Sequence, residues 1–437
     1  MAAIFWGFAG SRSHVSSGTV STAYFKAFSL SFFFNMDSIL DCLKNEDEWI
    51  SFLKYKEERD QLTKKELEAL KSFIAEKRYD KVSAFGYPVK REITKMGSSK
   101  KRIVYSFSED ETWMLKLLAY KLYKYDDKVP ENCYSFRRSK TAKTAFDRIR
   151  SIEGLDSKYC LKLDIHDYFN SIDTHILLSI LSSVIDDDKH LLSFLEELLL
   201  QDRCIWQGEV IEEKRGAMAG VPLASFFANI YLAELDRHFE DMDIPYLRYS
   251  DDMILFLNTE EELKSSFEFI KAFLLDMGLE LNMDKYRVSK PGEKWEFLGF
   301  SYERGVIDLS DATIKKIKGK IRRKARKILR WKERKGKSYE KAARALINSF
   351  DRKFYDIFGD NSFTWSRFYF PVINTHKGLK EIDLYMVKYL RFLYSGRHYK
   401  GNYKVSYEDL KKLGYTPLVA EYYNWKKENE LLKKGML

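Results

Sequence analysis

Cysteine is scarce in this chain of 437 residues, and its four copies, Cys42, Cys133, Cys160 and Cys204, are scattered without a C-x-x-C pair. That pattern argues against a disulfide framework and against a zinc site, and a reducing cytoplasm is its simplest setting. The seven histidines show no H-E-x-x-H or other paired-ligand spacing. No apolar run reaches the roughly 18 residues of a membrane span. Internal repeats and low-complexity tracts are also missing. Acids are absent from the first 35 residues, which also lack the basic start and tidy apolar core of a secretory signal. This stretch reads as a disordered extension or an upstream start preceding Met36, with a partner-binding arm as the alternative.

What is present points to packed cores and an anionic partner. Hydrophobic residues make up 45% and charged residues 32%, the balance of a soluble globular protein. The length allows two to four packed units. The 31 Phe and 28 Tyr supply large apolar and stacking surfaces. A net charge of +10 favours a polyanion.

Periodicity orders the chain. Charged helical patterns run from Met36 to about Asp80. From Gly86, "GYPVKREITKMGSSKKRIVYSF" reads as a hairpin with a basic tip at Gly97-Ser98-Ser99. A helix opened by Ser108 and early acids follows, then a basic loop, "YSFRRSKTAKTAFDRI", running into another helix. "YCLKLDIHDYFNSID" reads as a buried strand, a turn and a helix start, and "GVPLASFFANIYLAELDRHF" as a turn feeding one long helix. "PYLRYSDDMILFL" and "WEFLGFSYERGVIDLS" read as hairpins. Residues 311–341 hold 15 Lys/Arg against 3 Asp/Glu, a local excess larger than that of the whole chain. Ile314, Ile317, Ile321, Ala325, Ile328 and Leu329 keep helical spacing there, so this is an amphipathic basic helix suited to phosphates.

The chemistry starts from two adjacent acids, Asp251 and Asp252, between apolar runs. Each raises the cost of ionising the other, so the pair calls for a cation. Neighbouring strand residues point to opposite faces, so the two need not share one task. Asp164 ends another apolar run and, on a neighbouring strand, would face Asp251. Such carboxylates can hold two Mg²⁺ ions about 4 Å apart, a clamp for in-line phosphoryl transfer. Asp164, Asp251 and Asp252, in that order, look like the palm of a nucleic-acid polymerase.

The chain resembles reverse transcriptases, more narrowly the bacterial enzymes related to retron and group II intron proteins. The resemblance spans about residues 85–300 and rests on "SFRRSKTAKTAF", "LDIHDYFNSI", "GVPLASFFANIYLAELD", "YSDD", "GLELNMDKYRV" and "FLGF" in family order. It implies an α+β right-hand polymerase. The N-terminal helices and fingers would span 36–158, the antiparallel palm 159–300, a basic helical thumb 301–358 and a helical C-terminal region 359–437. It implies a metal site of Asp164, Ile165, Asp251 and Asp252. Lys285 would act as proton donor to pyrophosphate or as a phosphate contact. Phe169 would be a steric gate against the ribose 2′-hydroxyl, with a core phenylalanine as the alternative. Lys95 and Arg102 would grip the triphosphate. Gly220, Ser225 and Asn229 would approach the incoming nucleotide. The family's Pro-Gln-Gly turn is Met218-Ala219-Gly220 here, which removes a polar contact to that nucleotide. Arg137 and Arg138 would touch template or nucleotide, or form a structural ion pair. Phe297, Leu298 and Gly299 would form a primer grip, with plain core as the alternative. Lys315, Lys318, Arg322, Arg323, Arg326 and Arg330 would follow duplex phosphates from the thumb.

No endonuclease, RNase H, protease or maturase signature accompanies these motifs. The tail resembles the unknown-group, defence-associated reverse transcriptases, type 2 closest. This implies a non-coding RNA as scaffold and template, a cDNA product, deoxynucleoside triphosphates as substrates and a cytoplasmic role in antiphage defence, with a homo-oligomer left open. Two other readings stay open: a protein-primed or template-poor DNA synthase, and a non-catalytic RNA-binding scaffold.

Overall fold

The computed structural model describes residues 26–30, 38–58, 62–94, 101–355 and 364–433. The chain divides into two compact units, Met1–Pro291 and Gly292–Leu437. The basic tip expected at 97–99 and the residue Lys95 lie outside the described residues. Among the described residues no helix is long and apolar enough to cross a membrane.

The first unit opens with helices Glu46–Glu58 and Lys64–Ala75, the second started by a reciprocal Thr63–Glu66 capping box. Trp49, at a helix i position, meets Phe73 of the next helix at 5.0 Å between ring centres, so an aromatic core holds the pair. The reading of 1–35 as a disordered extension does not hold at its end. Lys26–Ser29 forms an antiparallel strand on Ala84–Gly86. Phe28 is the reason: its ring stacks on Phe85 at 5.6 Å and meets Phe194 edge-on at 5.7 Å.

Two four-stranded sheets carry the rest of this unit. One runs in the order Lys101–Ser106, Val89–Thr94, Arg203–Trp206, Glu209–Glu212, with Ile93 opposite Arg102. The other runs Arg287–Ser289, Tyr159–Asp164, Asp252–Leu257, Tyr246–Tyr249, antiparallel throughout. Met253 to Leu257 are all buried, which explains why this central strand is apolar without alternation. The expected long helix after Gly220 is two, Ala224–Tyr231 and Ala233–Asp241, broken at Leu232. Tertiary ties override the helical pattern there. The Tyr231 hydroxyl donates to the Met277 carbonyl at 2.6 Å, and Asp236 turns into the core. All four cysteines are free and buried. Burial pushes every thiol up, that of Cys204 to about 11.

In the second unit the expected hairpin is a three-stranded meander, Trp295–Phe297, Phe300–Glu303 and Val306–Leu309. Ser310 then caps the basic helix Asp311–Arg334 through the Thr313 amide at 3.1 Å. Ile314, Ile317, Ile321, Ala325 and Ile328 are its buried stripe, as their spacing predicts. This helix packs on Lys377–Ser395, so the stretches 301–358 and 359–437 share one unit.

The turn Arg215–Gly220 joins elements of the first unit at close quarters. Ala217 N–H donates to the Phe169 carbonyl, and Tyr105 N–H to the Ala219 carbonyl, each at 2.8 Å. Gly216 has φ +56°, and a Cβ there would stand 2.6 Å from the Phe169 carbonyl oxygen. Gly216→Ala is therefore expected to destabilise this unit by about 1–3 kcal/mol, measured by urea unfolding. Gly208→Ala, with φ +95° but nothing within 4 Å of the new carbon, is the control that should cost less.

Candidate active site and nucleic-acid interface

The antiparallel ladder sets the acids. Tyr159–Asp164 pairs with Asp252–Leu257 so that Asp164 lies directly opposite Asp252. The expectation was that Asp164 would face Asp251. Instead Asp251 sits in the two-residue turn Ser250–Asp251, before the strand begins, and its carbonyl accepts the Ile165 amide at 3.2 Å. The three acids still converge on one end of the sheet. Asp164 is buried, and Asp251 and Asp252 are half-buried.

Cationic and amide groups already answer part of this negative charge. Lys285 donates to one oxygen of Asp164, and Asn282 Nδ2 donates to the other at 2.9 Å. Lys162 approaches Asp252 at 4.0 Å. Burial works to depress the Lys285 ammonium, but the hydrogen bond and charge of Asp164 outweigh it and hold it above its ordinary value. Asp251 is held above the usual carboxylate range, first by burial and then by Asp252. Among the described residues no three His, Cys, Asp or Glu side chains stand close enough together to hold a metal ion. Both oxygens of Asp164 are engaged, one by Lys285 and one by Asn282. The donor set nevertheless fits a hard divalent cation: oxygen ligands only, with the Asp251 carboxyl held up by burial and by Asp252 in spite of Lys285. Ile165 is close by. The bridge to residues 280–282 uses the Asp164 carbonyl and the His166 amide, and so does not engage the Ile165 carbonyl.

Several of the residues expected at the nucleotide belong to the same unit. Phe169 is partly buried, edge-on to Phe136 at 6.3 Å, and follows Asp167, which has φ +41°. Gly220 is exposed, with φ +100°; its Cβ position is 3.0 Å from the Tyr105 carbonyl and 3.4 Å from Val104 Cβ. Arg102 lies two residues from Val104 on the same strand face and is half-buried. Ser225 is half-buried on the helix that follows.

Other expected contacts are structural. Asn229 is 3% exposed, and its amide is spent on Ser135: Oδ1 accepts the Ser135 hydroxyl at 3.0 Å and Nδ2 donates to the Ser135 carbonyl at 2.8 Å. It has no free face for a nucleotide. Arg137 is 8% exposed; its fork donates to the Pro130 carbonyl at 2.7 Å and to Asp126 and Glu131 at 3.2 Å. It therefore pins its own loop, as the ion-pair alternative held. Arg138 is exposed, lying over Tyr123, Tyr120 and Tyr55 at 4.4, 4.7 and 5.1 Å. Phe297 and Leu298 are buried in the second unit, and a Cβ on Gly299 would stand 2.8 Å from the Tyr369 hydroxyl. The plain-core alternative describes these three better than a surface grip.

Residues 93–302 match the family model described as reverse transcriptase (RNA-dependent DNA polymerase). The chain carries a reverse transcriptase domain. No curated protein matches it. Solved structures similar to the chain include apo telomerase from Candida tropicalis truncated from its C-terminal domain, at 14% identity and TM-score 0.41, covering 51% of this chain and 55% of that one. Another is telomerase from Candida albicans in complex with a TWJ fragment of telomeric RNA, at 13% identity and TM-score 0.41, covering 79% and 68%. A third is apo telomerase from Candida tropicalis, at 12% identity and TM-score 0.43, covering 75% and 59%. The chain thus spans little more than half the length of the first and third of these telomerases.

Beyond the reverse transcriptase domain, the basic helix presents Lys315, Arg322, Arg323, Arg326 and Arg330 to solvent. Lys318 is half-buried, bonded to Glu381 and lying 5.4 Å from the Tyr385 ring. With Lys315, Arg322 and Tyr385 it lines a cavity of about 500 Å³. The sequence reading missed a second cluster. Burial, then Lys316, Lys353 and Arg323, pushes the Lys320 ammonium down to about 7. A polyanion would restore its proton, so binding near neutrality takes up a proton and must weaken as pH rises through about 7. Duplex DNA affinity, followed by fluorescence anisotropy at fixed ionic strength, should show this fall. Above that pH the salt slope should be shallower by about one phosphate contact, and Lys320→Arg should remove both effects.

Proposed function

We propose that this chain is a bacterial enzyme that copies a dedicated non-coding RNA into cDNA by metal-assisted nucleotidyl transfer, in the cytoplasm, as part of antiphage defence. The observation that carries the chemistry is the register placing Asp164 opposite Asp252, beside Asp251, inside a reverse transcriptase domain. The order and wording of the sequence motifs support kinship with the unknown-group, defence-associated enzymes, type 2 closest, and with retron and group II intron proteins.

Asp164, Asp251, Asp252 and the Ile165 carbonyl would hold Mg²⁺. A pair of such ions, when bound, acidifies the attacking 3′-hydroxyl and neutralises the departing pyrophosphate. The 3′-oxygen bonds to the α-phosphorus of a deoxynucleoside triphosphate as the bond to pyrophosphate breaks. Arg102, together with Lys95, draws in the triphosphate. Phe169 puts an aromatic ring where a 2′-hydroxyl would sit. Lys285, fully charged beside Asp164, carries the proton that the leaving pyrophosphate oxygen needs.

An RNA partner is supported by the second unit. Exposed tyrosines there are backed by cations: Tyr403 by Arg391 at 4.8 Å, Tyr399 by Arg397 at 4.8 Å, Tyr394 by Lys404 at 4.7 Å and Tyr407 by Lys411 at 5.1 Å. Exposed rings with adjacent positive charge suit unpaired bases and their phosphates.

Two measurements test this reading. Asp251→Asn with Asp252→Asn should lower deoxynucleotide incorporation by at least about 10³-fold, and cDNA sequenced from purified wild-type protein should mirror the co-purified RNA. DNA that stays on the protein after denaturation and leaves on proteolysis would instead favour the protein-primed synthase. Phe169→Val should raise ribonucleotide incorporation relative to deoxynucleotide by about 10-fold or more; an unchanged ratio would remove the gate from this account.

A further inference from the structure

The Ser250–Asp251 turn rests on a buried polar network to which the catalytic reading gives no task. Ser250 has φ +63°, a region that favours glycine, and its own hydroxyl is buried without a hydrogen-bond partner. Its backbone is held from both sides instead. The Ser250 N–H donates to Ser135 Oγ at 2.9 Å, and the Ser250 carbonyl accepts from Arg248 Nη1 at 3.4 Å. Each holder is itself fixed. Ser135 and Asn229 exchange two hydrogen bonds, hydroxyl to Oδ1 and Nδ2 to carbonyl. Arg248 forks onto Asp236, with Nε to Oδ1 at 2.7 Å, and its Nη2 also donates to the Asn229 carbonyl at 3.1 Å. Tyr246 donates its hydroxyl to Asp236 at 2.9 Å, and Asn132 Nδ2 donates to the Asp236 carbonyl at 2.6 Å. Residues 132–134 run beside Arg248: Arg248 N–H donates to the Asn132 carbonyl at 2.9 Å, and Tyr134 N–H to the Arg248 carbonyl at 2.8 Å.

Arg248 and Asp236 are both 0% exposed. A buried ion pair seldom stabilises a fold more than well-packed apolar residues would, so stability alone does not account for it. What distinguishes this network is where it ends. Its bonds reach both backbone groups of the one residue that precedes Asp251. The peptide joining Ser250 to Asp251 sets where the Asp251 carboxylate points.

We propose that Ser135, Asn229, Arg248 and Asp236 are positioning residues that clamp Ser250 through the peptides on both sides of it and so aim the Asp251 carboxylate at the site shared with Asp164 and Asp252. This rests on the polymerase reading of that site. It gives Asn229, on the helix after the glycine turn, a task at the metal-facing acids rather than at the nucleotide. Ser135 is the informative member, because it alone holds the Ser250 amide and can be changed without opening the buried ion pair.

In the full-length protein, Ser135→Ala is expected to lower kcat about 10- to 100-fold, as a displaced reacting group does. KM for the deoxynucleotide should stay within about twofold, since nothing in the network touches the nucleotide's holders. Mn²⁺ binding, followed by electron paramagnetic resonance in the absence of nucleotide, should weaken in parallel. Restoring an acceptor with Ser135→Cys or Ser135→Thr should recover part of both losses. Wild-type kcat and Mn²⁺ affinity in Ser135→Ala, or a rise in KM alone, would overturn the proposal. Should Ser135→Ala not fold, Ser135→Cys must still show a kcat and Mn²⁺ affinity below wild type, and wild-type values there would overturn it. If the wild-type protein does not polymerise, the polymerase reading fails. The Mn²⁺ comparison still decides the clamp in that case, because unchanged affinity in Ser135→Ala would remove it.

Discussion

The pairing of Tyr159–Asp164 with Asp252–Leu257 is the constraint from which the rest follows. A strand slipped by one residue turns every side chain to the opposite face. Here such a slip would part Asp164 from Asp252 and expose the apolar run behind it. The burial of Met253 to Leu257 therefore fixes the register, and the register fixes the acids. Like charges brought together in this way repel. Lys285, Asn282 and Lys162 answer that repulsion from the neighbouring strand and from the turn after Glu280. The core supplies the precision, and the polar groups make it tolerable.

Electrostatics differ in kind between the two units. In the first, charges at the critical place are few, and Asp164 and Asp252 are met by Lys285, Asn282 and Lys162. Arg137 and Arg248 spend their forks on carbonyls and carboxylates within the unit. In the second, burial and then neighbouring cations along and beside Asp311–Arg334 push Lys320 down to about 7. Positive charge is thus concentrated along one helix of the second unit, whereas the charges of the first unit hold a geometry.

Much of this was legible in the sequence, for identifiable reasons. The aspartate pair flanked by apolar runs, the strand ending at Asp164 and the buried stripe from Ile314 to Ile328 are local patterns, and their periodicity reports the fold directly. The failures concern partners distant in the chain. Asn229 and Arg137 look like ligand-binding residues until Ser135 and Asp126 are seen to consume their hydrogen bonds. Asn282 gave no signal, because its importance comes from a chain path that brings it beside Asp164. Lys162 could have been found: it lies two residues before Asp164 and so on the same strand face. The strand at Lys26–Ser29 was hidden by its neighbours' lack of pattern, and Phe28 shows its worth only against Phe85 and Phe194. The break at Leu232 cannot be read from a sequence whose apolar spacing continues through it.

The buried state of Cys42, Cys133, Cys160 and Cys204 has a practical side. With every thiol shifted upward by its surroundings, almost none is present as the reactive anion near neutral pH. The native background is thus nearly silent to maleimides. A single cysteine engineered on an outer surface would take a fluorophore or spin label almost alone, so the movements of this protein can be followed without first stripping out its own sulfur.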